Sequence, residues 1–357
     1  MENDSNFSLM PAEWAPHEAT WLAWPHEATD WPGKIEPLEW VYAEIVRAIS
    51  IFERVEILVK DETLKARAEF CLNMHRVPEN GASGKGYRMH LVPNDRSWLR
   101  DSAPTAVHDA AGNVHWIDWC FRAWAKYNNF SADAEVAARV AKLSGCPSTT
   151  ALRPDNGEQL TLEGGAIDVD GEGTLLTTEE CLLSTEQERN PGLTREGYEQ
   201  AFAKYLGIKK TIWLGSGCAG DDTHGHIDDI ARFVQPGVVT LAYEKDPADD
   251  NHQASVDNLR RLESATDANG RKIKVVKLPM PRAIWFGEER LPASYANFYI
   301  GNGFVIVPTF NDECDREALT IIASLFPDRR VIGIHALDLV LGQGTLHCLS
   351  QQQPAKR

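Results

Sequence analysis

The feature of this chain that most restricts its fold is a pattern of β-hairpin, helix and strand that recurs along the sequence. Four hairpin turns are predicted at nearly even intervals, because β-prone runs flank each of them. They lie at Gly112-Asn113, Gly171 to Gly173, Pro236-Gly237 and Gly301 to Gly303. A helical pattern follows each hairpin, and the last three helices lead into the strands TIWLG, KIKVVKLP and RVIGIH.

The two ends of the chain supply a fifth copy of this pattern. The run GTLHCLSQ is predicted to pair with EATWLAWP, and the helix LEWVYAEIVRAISIF and the strand RVEILV complete the unit. This closure leaves no exposed edge between the first and last repeats. We therefore expect an α/β fold, a five-fold pseudo-symmetric α/β propeller, as a single domain over residues 1–357 with residues 1–9 as a flexible tail. The alternative is an α+β sandwich with coincidental spacing.

Composition and charge restrict the class of function. The net charge of −16 repels nucleic acids and anionic membranes and attracts cationic small molecules. No stretch approaches the roughly 20 apolar residues of a membrane span, and the first residues lack a secretory pattern, so we expect a cytoplasmic protein. The seven cysteines are widely spaced without a C-x-x-C pair, which argues against a disulfide framework or a thiolate zinc site.

Chemically costly polar residues stand just before the hairpins or in their first strands. They are Trp98-x-Arg100-Asp101, Glu163-Gly164-Gly165, His224-x-His226-x-Asp228 and Cys348. The intervals from Asp101 to Glu163 and from Glu163 to His226 are nearly equal. Because equivalent positions in successive units of a ring face the same axis, these side chains are predicted to converge on one cavity. The converged set contains a thiol, an imidazole and three carboxylates.

This set of groups indicates a cationic substrate. A thiol beside a histidine is a nucleophile with its own acid and base. Buried carboxylates are unfavourable unless a cation pairs with them, so the site suits a positively charged electrophile. A guanidinium group is planar and permanently charged, and its N–H donors match carboxylates. Its carbon is a poor electrophile, which explains the need for a strong, soft nucleophile.

Six segments in this order resemble the agmatine deiminase and bacterial-type peptidylarginine deiminase family of guanidino-group-modifying enzymes. They are MPAEWAPHEATWLAWP, WLRDSAPT, EGGAIDVDGEGTLLTTEECLL, DDTHGHID, YANFYIGNGFVIVP and HCLSQQQP, and they run from Met10 to Pro354. The resemblance implies a pentein propeller that hydrolyses agmatine to N-carbamoylputrescine and ammonia, with no metal or organic cofactor. A deiminase of peptidyl-arginine or free arginine is the alternative.

The resemblance also implies roles for the site residues. Cys348 would attack the guanidino carbon, and His226 would protonate the departing ammonia and then activate water. Asp101 and Asp228 would hold the guanidinium nitrogens. Glu163 would keep His226 oriented and protonated. The expected substrate-binding residues are Trp98, Arg100, Asp222 and Gly344.

Two loops depart from the pattern of the family. Where many members read G-G-G-N-I-H-C, this chain has Gln343, Thr345 and Leu346 in the corresponding run, and where many read T-N-G-H it has His224. The candidate catalytic residues are retained in both loops. Because these loops flank the pocket, the departures concern recognition of the substrate's tail, and the sequence does not rank agmatine against arginine or peptidyl-arginine.

Two other classes of function stay open. A metal-dependent hydrolase could use the ligand-like spacing of His224, His226 and Asp228, although such sites usually need further histidines. A non-catalytic guanidine-binding protein could use Cys348 only for packing. For partners we expect a cationic guanidino small molecule, with no nucleic acid and no membrane, and assembly into a homodimer or higher homo-oligomer.

Overall fold

A computed structural model of the chain describes residues 7–80 and 85–357. Its strands are β1 (Phe7–Leu9), β2 (His17–Ala23), β3 (Arg54–Val59), β4 (Gly86–Leu91), β5 (Thr105–Asp109), β6 (Val114–Asp118), β7 (Ser148–Thr150), β8 (Asp168–Val169), β9 (Thr174–Thr178), β10 (Lys210–Leu214), β11 (Ala231–Gln235), β12 (Val238–Tyr243), β13 (Lys274–Pro279), β14 (Ile284–Phe286), β15 (Glu289–Leu291), β16 (Tyr299–Gly301), β17 (Phe304–Thr309), β18 (Arg330–His335) and β19 (Gln351–Pro354). Its α-helices are α1 (Ile35–Ser50), α2 (Glu62–Met74), α3 (Leu99–Ser102), α4 (Val136–Ser144), α5 (Glu179–Leu183), α6 (Arg195–Leu206), α7 (Asn251–Ser264), α8 (Asp315–Leu325), α9 (Leu337–Val340) and α10 (Leu346–Leu349).

The predicted hairpin, helix and strand pattern is confirmed as five three-stranded units in a mixed α/β fold. In each unit an antiparallel pair is extended by a parallel third strand. The units are β19-β2-β3, β5-β6-β7, β8-β9-β10, β11-β12-β13 and β16-β17-β18. A parallel pair needs a crossover connection, and α1, α4, α6, α7 and α8 provide it.

Two of the crossing helices, α6 and α4, show the expected capping chemistry. Thr194 accepts a hydrogen bond from the backbone N–H of Gly197 at the start of α6. Gly207, with φ of 68°, ends the same helix in the left-handed conformation that glycine adopts without steric cost. Gly145 ends α4 in the same way with φ of 67°. Local sequence therefore sets the length of these helices.

The two ends of the chain share one unit, as predicted. β19 pairs antiparallel with β2, with Gln351 opposite Trp21 and Gln353 opposite Ala19. The indole of Trp21 donates a hydrogen bond of 3.0 Å to Gln353 Oε1. The predicted strand GTLHCLSQ is wrong in its first part, because residues 346–349 form the helical turn α10 and the strand starts only at Gln351.

Several elements differ from the prediction. β7 has the exposed, polar sequence STT, which carries no apolar pattern. The run GASGKGYR over 81–88 has the glycine content that predicts a surface loop, yet β4 starts within it at Gly86, while residues 81–84 lie outside the described part of the chain. The run EKDPADDNHQ over 244–253 has the aspartates that predict another loop, and α7 begins within it at Asn251. Of the predicted tail, residues 1–6 are likewise outside the described part, and residues 7–9 form β1 against β5.

The apolar core is divided among the sheets and the helices that cover them. The largest cluster joins the unit β19-β2-β3 to the unit β16-β17-β18 through fully buried side chains such as Trp24, Tyr42, Phe304 and Ile306. Cys348 belongs to the same cluster, so this packing fixes the segment that carries the thiol. Within the described ranges, no helix has the length and the apolar sequence that crossing a lipid bilayer requires.

Deletion of residues 351–357 is expected to destabilise the fold strongly. The deletion removes β19 and leaves the backbone groups along one edge of β2 without partners. At about 1 kcal/mol for each lost hydrogen bond, the free energy of unfolding should fall by about 3 kcal/mol or more. Urea denaturation followed by circular dichroism measures it. Deletion of residues 356 and 357 alone is the control, and equal stability of the two truncations would contradict the pairing.

Candidate active site

The predicted site residues lie in short turns that directly precede the first strands of the units. Asp101 is in α3, before β5. Glu163 precedes the 3-10 turn Gly164–Ala166, before β8. Asp228 lies in the 3-10 turn Ile227–Asp229, before β11, and Cys348 lies in α10, before β19. The turns bend the chain before the strand begins, so each side chain points away from the strand ladder.

The unit β16-β17-β18 supplies a residue that the sequence analysis missed. Asn297 stands just before β16, in the position that corresponds to the other site residues. Its Nδ2 donates to Cys348 Sγ at 3.1 Å and to Asp229 Oδ1 at 3.0 Å. Its Oδ1 accepts from the backbone N–H of His347 at 3.0 Å. The repeat is the sequence signal for this residue, because Asn297 occupies the place in the fourth predicted hairpin that the other site residues occupy in theirs.

Asp101 and Cys348 line a cavity of about 250 Å³. Both residues are buried, and Trp98, Trp124 and Tyr127 are among those that form the cavity walls. The volume is below the range of about 300–1,000 Å³ that is usual for drug-sized ligands, so the cavity suits a small molecule.

Three further members of the predicted set are completely buried next to the cavity. His226, Glu163 and Asp228 each have 0% of their surface exposed. The imidazole Nδ1 lies 3.8 Å from Asp101 Oδ2 and 4.0 Å from Asp228 Oδ1, and Nε2 lies 3.9 Å from Glu163 Oε2. The structure therefore brings the imidazole and the three carboxylates together, as the spacing predicted.

Glycines make this close approach possible. A β-carbon at Gly165 would lie 2.5 Å from His226 Nδ1 and 2.9 Å from Asp101 Oδ1. A β-carbon at Gly344 would lie 2.8 Å from the ring of Trp98 and 3.2 Å from Cys348 Sγ. Any larger residue at either position would displace the groups of the candidate site.

The thiol of Cys348 is protonated in this environment. Burial raises its pKa well above the ordinary value, and the nearby carboxylates of Asp228, Asp229 and Asp101 raise it further. Among these carboxylates, Asp228 contacts the sulfur through Oδ2, at 3.6 Å. The hydrogen bond from Asn297 acts in the opposite direction. A cation between the sulfur and the carboxylates would favour the thiolate.

His226 is set up to carry a positive charge. Burial alone would lower its pKa, but the charge of Asp101 and the proximity of Cys181 and Glu163 raise it well above the ordinary value. Among the described residues neither ring nitrogen has a hydrogen-bond partner. A buried imidazolium with unsatisfied donors is available for proton transfer to a bound molecule.

Glu163 is kept ionised by an arginine that the sequence analysis did not single out. Burial favours the neutral acid, yet Arg189 and His226 lower the pKa of Glu163 to about 2. Arg189 Nε lies 3.1 Å from Glu163 Oε1, and both side chains are fully buried. Nothing in the sequence around Arg189 marks it, because the pairing depends on a loop that folds back onto the site.

The two aspartates differ in their remaining capacity for hydrogen bonds. Asp101 accepts from the indole of Trp124 at 2.8 Å and from the backbone N–H of Gly165 at 2.9 Å, and burial raises its pKa to about 6. Asp228 accepts from His347 through Oδ2, whereas Oδ1 is buried without a hydrogen-bond partner in the described structure. Burial would raise the pKa of Asp228, but His347 holds it below the ordinary value.

The predicted substrate-binding residues fall into two groups. Trp98, Asp222 and Gly344 line the cavity. Asp222 is bound there by Lys126 and by the hydroxyl of Tyr127 at 2.7 Å.

Arg100 is placed differently from the other three predicted substrate-binding residues. It is buried outside the cavity lining, with its donors directed to Gln352 Oε1 at 2.7 Å, Glu13 Oε2 at 3.3 Å and the carbonyl of His347 at 3.3 Å. Its guanidinium therefore supports the segment behind Cys348, and it does not line the space that a ligand would fill.

The spacing of His224, His226 and Asp228 does not produce a shared ligand set. The ring of His224 contacts Ser184 Oγ at 3.1 Å. Residue 224 has a left-handed backbone with φ of 62°, which separates the direction of its side chain from that of His226. Within the described ranges, the clusters whose atoms are close enough to share an ion are Glu163, Cys181 and His226, and Asp228, Asp229 and Cys348. The metal-hydrolase hypothesis therefore loses the geometry that suggested it.

Comparison with known proteins gives consistent matches over nearly the whole chain. A profile of the Porphyromonas-type peptidyl-arginine deiminase family matches residues 9–354. The agmatine deiminase of Ectopseudomonas mendocina is 36% identical over 97% of this chain and 95% of its own length. The agmatine deiminase of Pseudomonas fluorescens is 37% identical over 97% and 95%. The solved agmatine deiminase of Enterococcus faecalis is 33% identical, with a TM-score of 0.87 over 98% of this chain and 96% of that one.

Alkylation of the unliganded protein by iodoacetamide should be slow at Cys348 near neutral pH. Because its pKa is raised, the thiolate fraction and the rate should increase about tenfold per pH unit into the alkaline range. Mass spectrometry of the peptide that contains Cys348 measures the rate, with the partly exposed Cys146 as an internal reference. A rate that reaches a plateau below about pH 8 would show that the thiol is already ionised in the free protein.

Proposed function

The chain belongs to the Porphyromonas-type peptidyl-arginine deiminase family, and from that premise we propose that it is an agmatine deiminase, which hydrolyses agmatine to N-carbamoylputrescine and ammonia. It is a hydrolase that acts on the C–N bonds of a guanidino group. The observation that carries the proposal is the burial of one thiol against Asp101 and Asp228 at the end of a small cavity. That arrangement leaves Asp228 Oδ1 buried without a hydrogen-bond partner among the described residues, and a cation with N–H donors would remove this cost.

Capture of the guanidinium is the first step. Asp228 Oδ1, which has no hydrogen-bond partner among the described residues, would accept an N–H of the substrate. Asp101 has protein donors on both oxygens, but each carboxylate oxygen can accept a second hydrogen bond. Two carboxylates in the plane of the guanidinium place its carbon over Cys348 Sγ. Trp98, on the cavity wall, supplies an aromatic face for the cation.

Attack by sulfur follows from the change in charge. The guanidinium opposes the field of Asp101 and Asp228, which lowers the pKa of the Cys348 thiol from its raised value, and the thiol proton leaves to solvent. The thiolate adds to the guanidino carbon and forms a tetrahedral adduct. Binding of the substrate therefore generates the thiolate that attacks it, and without substrate the thiol stays protonated.

His226 supplies the protons for the two halves of the reaction. As an imidazolium it would protonate the departing nitrogen of the adduct through Nδ1, the ring atom on the side of Asp101 and Asp228. Ammonia leaves and an S-alkylthiouronium remains. Neutral His226 then takes a proton from water as the water attacks the same carbon. Glu163, fixed by Arg189, orients the ring through Nε2 and favours its charged form.

Release of the product depends on the departure of the thiolate. The second tetrahedral adduct collapses to the ureido product as the bond between carbon and sulfur breaks, and the proton of its new hydroxyl group leaves to solvent. Asn297 Nδ2, 3.1 Å from Sγ, would donate to the sulfur as its negative charge returns. We propose that Asn297 joins Cys348, His226, Glu163 and the two aspartates as a residue of the reaction.

Agmatine is proposed over arginine on the charge of the outer cavity. Outside Asp101, its lining carries the carboxylates of Asp30, Asp222 and Glu289, and the cations Arg96 and Lys126 pair with the first two of them. The remaining negative charge favours the ammonium tail of agmatine over the α-carboxylate of free arginine. Asp222 would accept a hydrogen bond from the ammonium tail while it also accepts from Lys126 and from the hydroxyl of Tyr127.

The larger arrangement is also part of the proposal. The five units, with the first and last segments of the chain in one of them, support a five-fold pseudo-symmetric α/β propeller in a single domain over residues 1–357. Assembly into a homodimer or higher homo-oligomer and a location in the cytoplasm stay predictions.

Parallel assays with agmatine, free arginine and an arginyl peptide test the choice of substrate. We expect agmatine to give a kcat/KM about 100-fold or more above the other two, because one or two charged contacts at the tail provide that degree of discrimination. Ammonia release and ureido product are measured together. Preferred turnover of the arginyl peptide would assign the chain to the alternative activity of its family.

Replacement of the nucleophile tests the mechanism. The Cys348→Ala variant should lose about 10,000-fold or more of the turnover number for agmatine, because no other thiol borders the guanidinium site in the described structure. Binding of agmatine should be retained, since the carboxylates remain, and isothermal titration calorimetry measures it. Cys146→Ala is the matched control. Ammonia release by Cys348→Ala at a rate close to that of the wild type would exclude Cys348 as nucleophile.

A further inference from the structure

A histidine with no role in the steps above lies directly beside the nucleophile. His347 is 1% exposed, and its ring bridges two carboxylates. Nδ1 is 2.6 Å from Asp228 Oδ2, and Nε2 is 2.7 Å from Glu13 Oε2. Ionised carboxylates only accept hydrogen bonds, so both ring nitrogens must donate. The geometry is therefore that of an imidazolium held at both ends.

The charges around Glu13 favour this protonation state. Arg232 Nη2 lies 3.0 Å from Glu13 Oε1, and Arg100 Nη2 lies 3.3 Å from Oε2. The backbone N–H of Ile300 also donates to Oε1 at 2.8 Å. Burial would raise the pKa of Glu13, but Arg232, His347 and Arg100 hold it well below the ordinary value. Glu13 therefore meets His347 as a carboxylate.

The other end of the ring controls how Asp228 is presented to the cavity. His347 occupies Oδ2, and Oδ1 is left buried without a hydrogen-bond partner in the described part of the chain. The same Oδ2 is the oxygen that lies 3.6 Å from Cys348 Sγ. The imidazolium thus offsets the negative charge nearest the sulfur and leaves the other oxygen available to a ligand.

We propose that His347 is a positioning residue for the reaction, an imidazolium held between Glu13 and Asp228 that fixes Asp228 so that Oδ1 receives an N–H of the substrate guanidinium. This inference rests on the function proposed above. Glu13 belongs to the same device, because it holds the far end of the ring while Arg100 and Arg232 keep it ionised.

A direct test observes the ring in the wild-type protein. With ¹⁵N-labelled histidine, the nitrogen resonances of His347, assigned by their loss in His347→Gln, should show protons on both nitrogens. The spectra are recorded at neutral pH, where each nitrogen is expected to carry the proton that it donates to a carboxylate. A singly protonated ring at neutral pH would overturn the proposal.

A variant tests the consequence for the substrate. His347→Gln keeps an amide donor but cannot bridge both carboxylates, so KM for agmatine should rise about 10- to 100-fold, the effect of one lost hydrogen bond between charged groups. kcat should change less than KM. The increase should be the same for n-butylguanidine, which lacks the ammonium tail, because Asp228 contacts the guanidinium end. His75→Gln makes the same chemical change at a histidine that contacts the carbonyl of Cys71 and does not line the cavity, and it should leave KM unchanged.

Binding measurements separate this inference from the proposed function. In the Cys348→Ala background, addition of His347→Gln should weaken agmatine binding by the same factor, and circular dichroism establishes that the double variant is folded. An unchanged Kd in the folded double variant would refute the positioning role even if the wild type turns over agmatine. If the wild type fails to act on agmatine, the proposed function is wrong, and the nitrogen spectra still decide the state of His347.

Discussion

The structure depends on the cost of burying negative charge without water. Asp101, Asp228 and Glu163 lie within a few ångströms of one imidazole, where the low local dielectric makes every unpaired charge expensive. Each acid is compensated in a different way. Arg189 and His347 pair with two of them, Trp124 and a backbone N–H donate to the third, and one oxygen of Asp228 is left without a partner in the described structure. The site therefore keeps one buried acceptor, Asp228 Oδ1, that no described residue fills, and a ligand with N–H donors would fill it.

Much of the architecture could be predicted because local signals and the global arrangement agree. Glycine placement and apolar periodicity predict the turns, the crossing helices and the pairing of the chain ends. These elements form close to the expected bounds. Elements without such signals were missed, among them β7 and the start of β4. The strand predicted over Cys348 was wrong because its backbone N–H groups turn toward Asn297, a contact between positions far apart in sequence.

The candidate site was predictable to the extent that it follows the repeat. The same place in four units is occupied by Asp101, Glu163, Asp228 and Cys348. In the remaining unit, β16-β17-β18, that place holds Asn297. The supporting side chains could not be predicted, because Arg189 and Glu13 come from segments with no corresponding copy in the other units. The protonation state of the thiol also depends on burial and on neighbouring charges, which spacing alone does not reveal.

The pairing of β19 with β2 has a consequence for how the site comes into being. Cys348 lies a few residues before β19, whereas Glu13, which contacts the neighbouring His347, lies a few residues before β2. Contacts of such long sequence separation form late, since closing a loop of that size must precede any gain from it. A partly folded chain thus holds an ordinary cysteine in an ordinary segment. The environment that raises the pKa of the Cys348 thiol therefore exists only once the two ends of the chain have met, so assembly of the site and completion of the tertiary structure coincide.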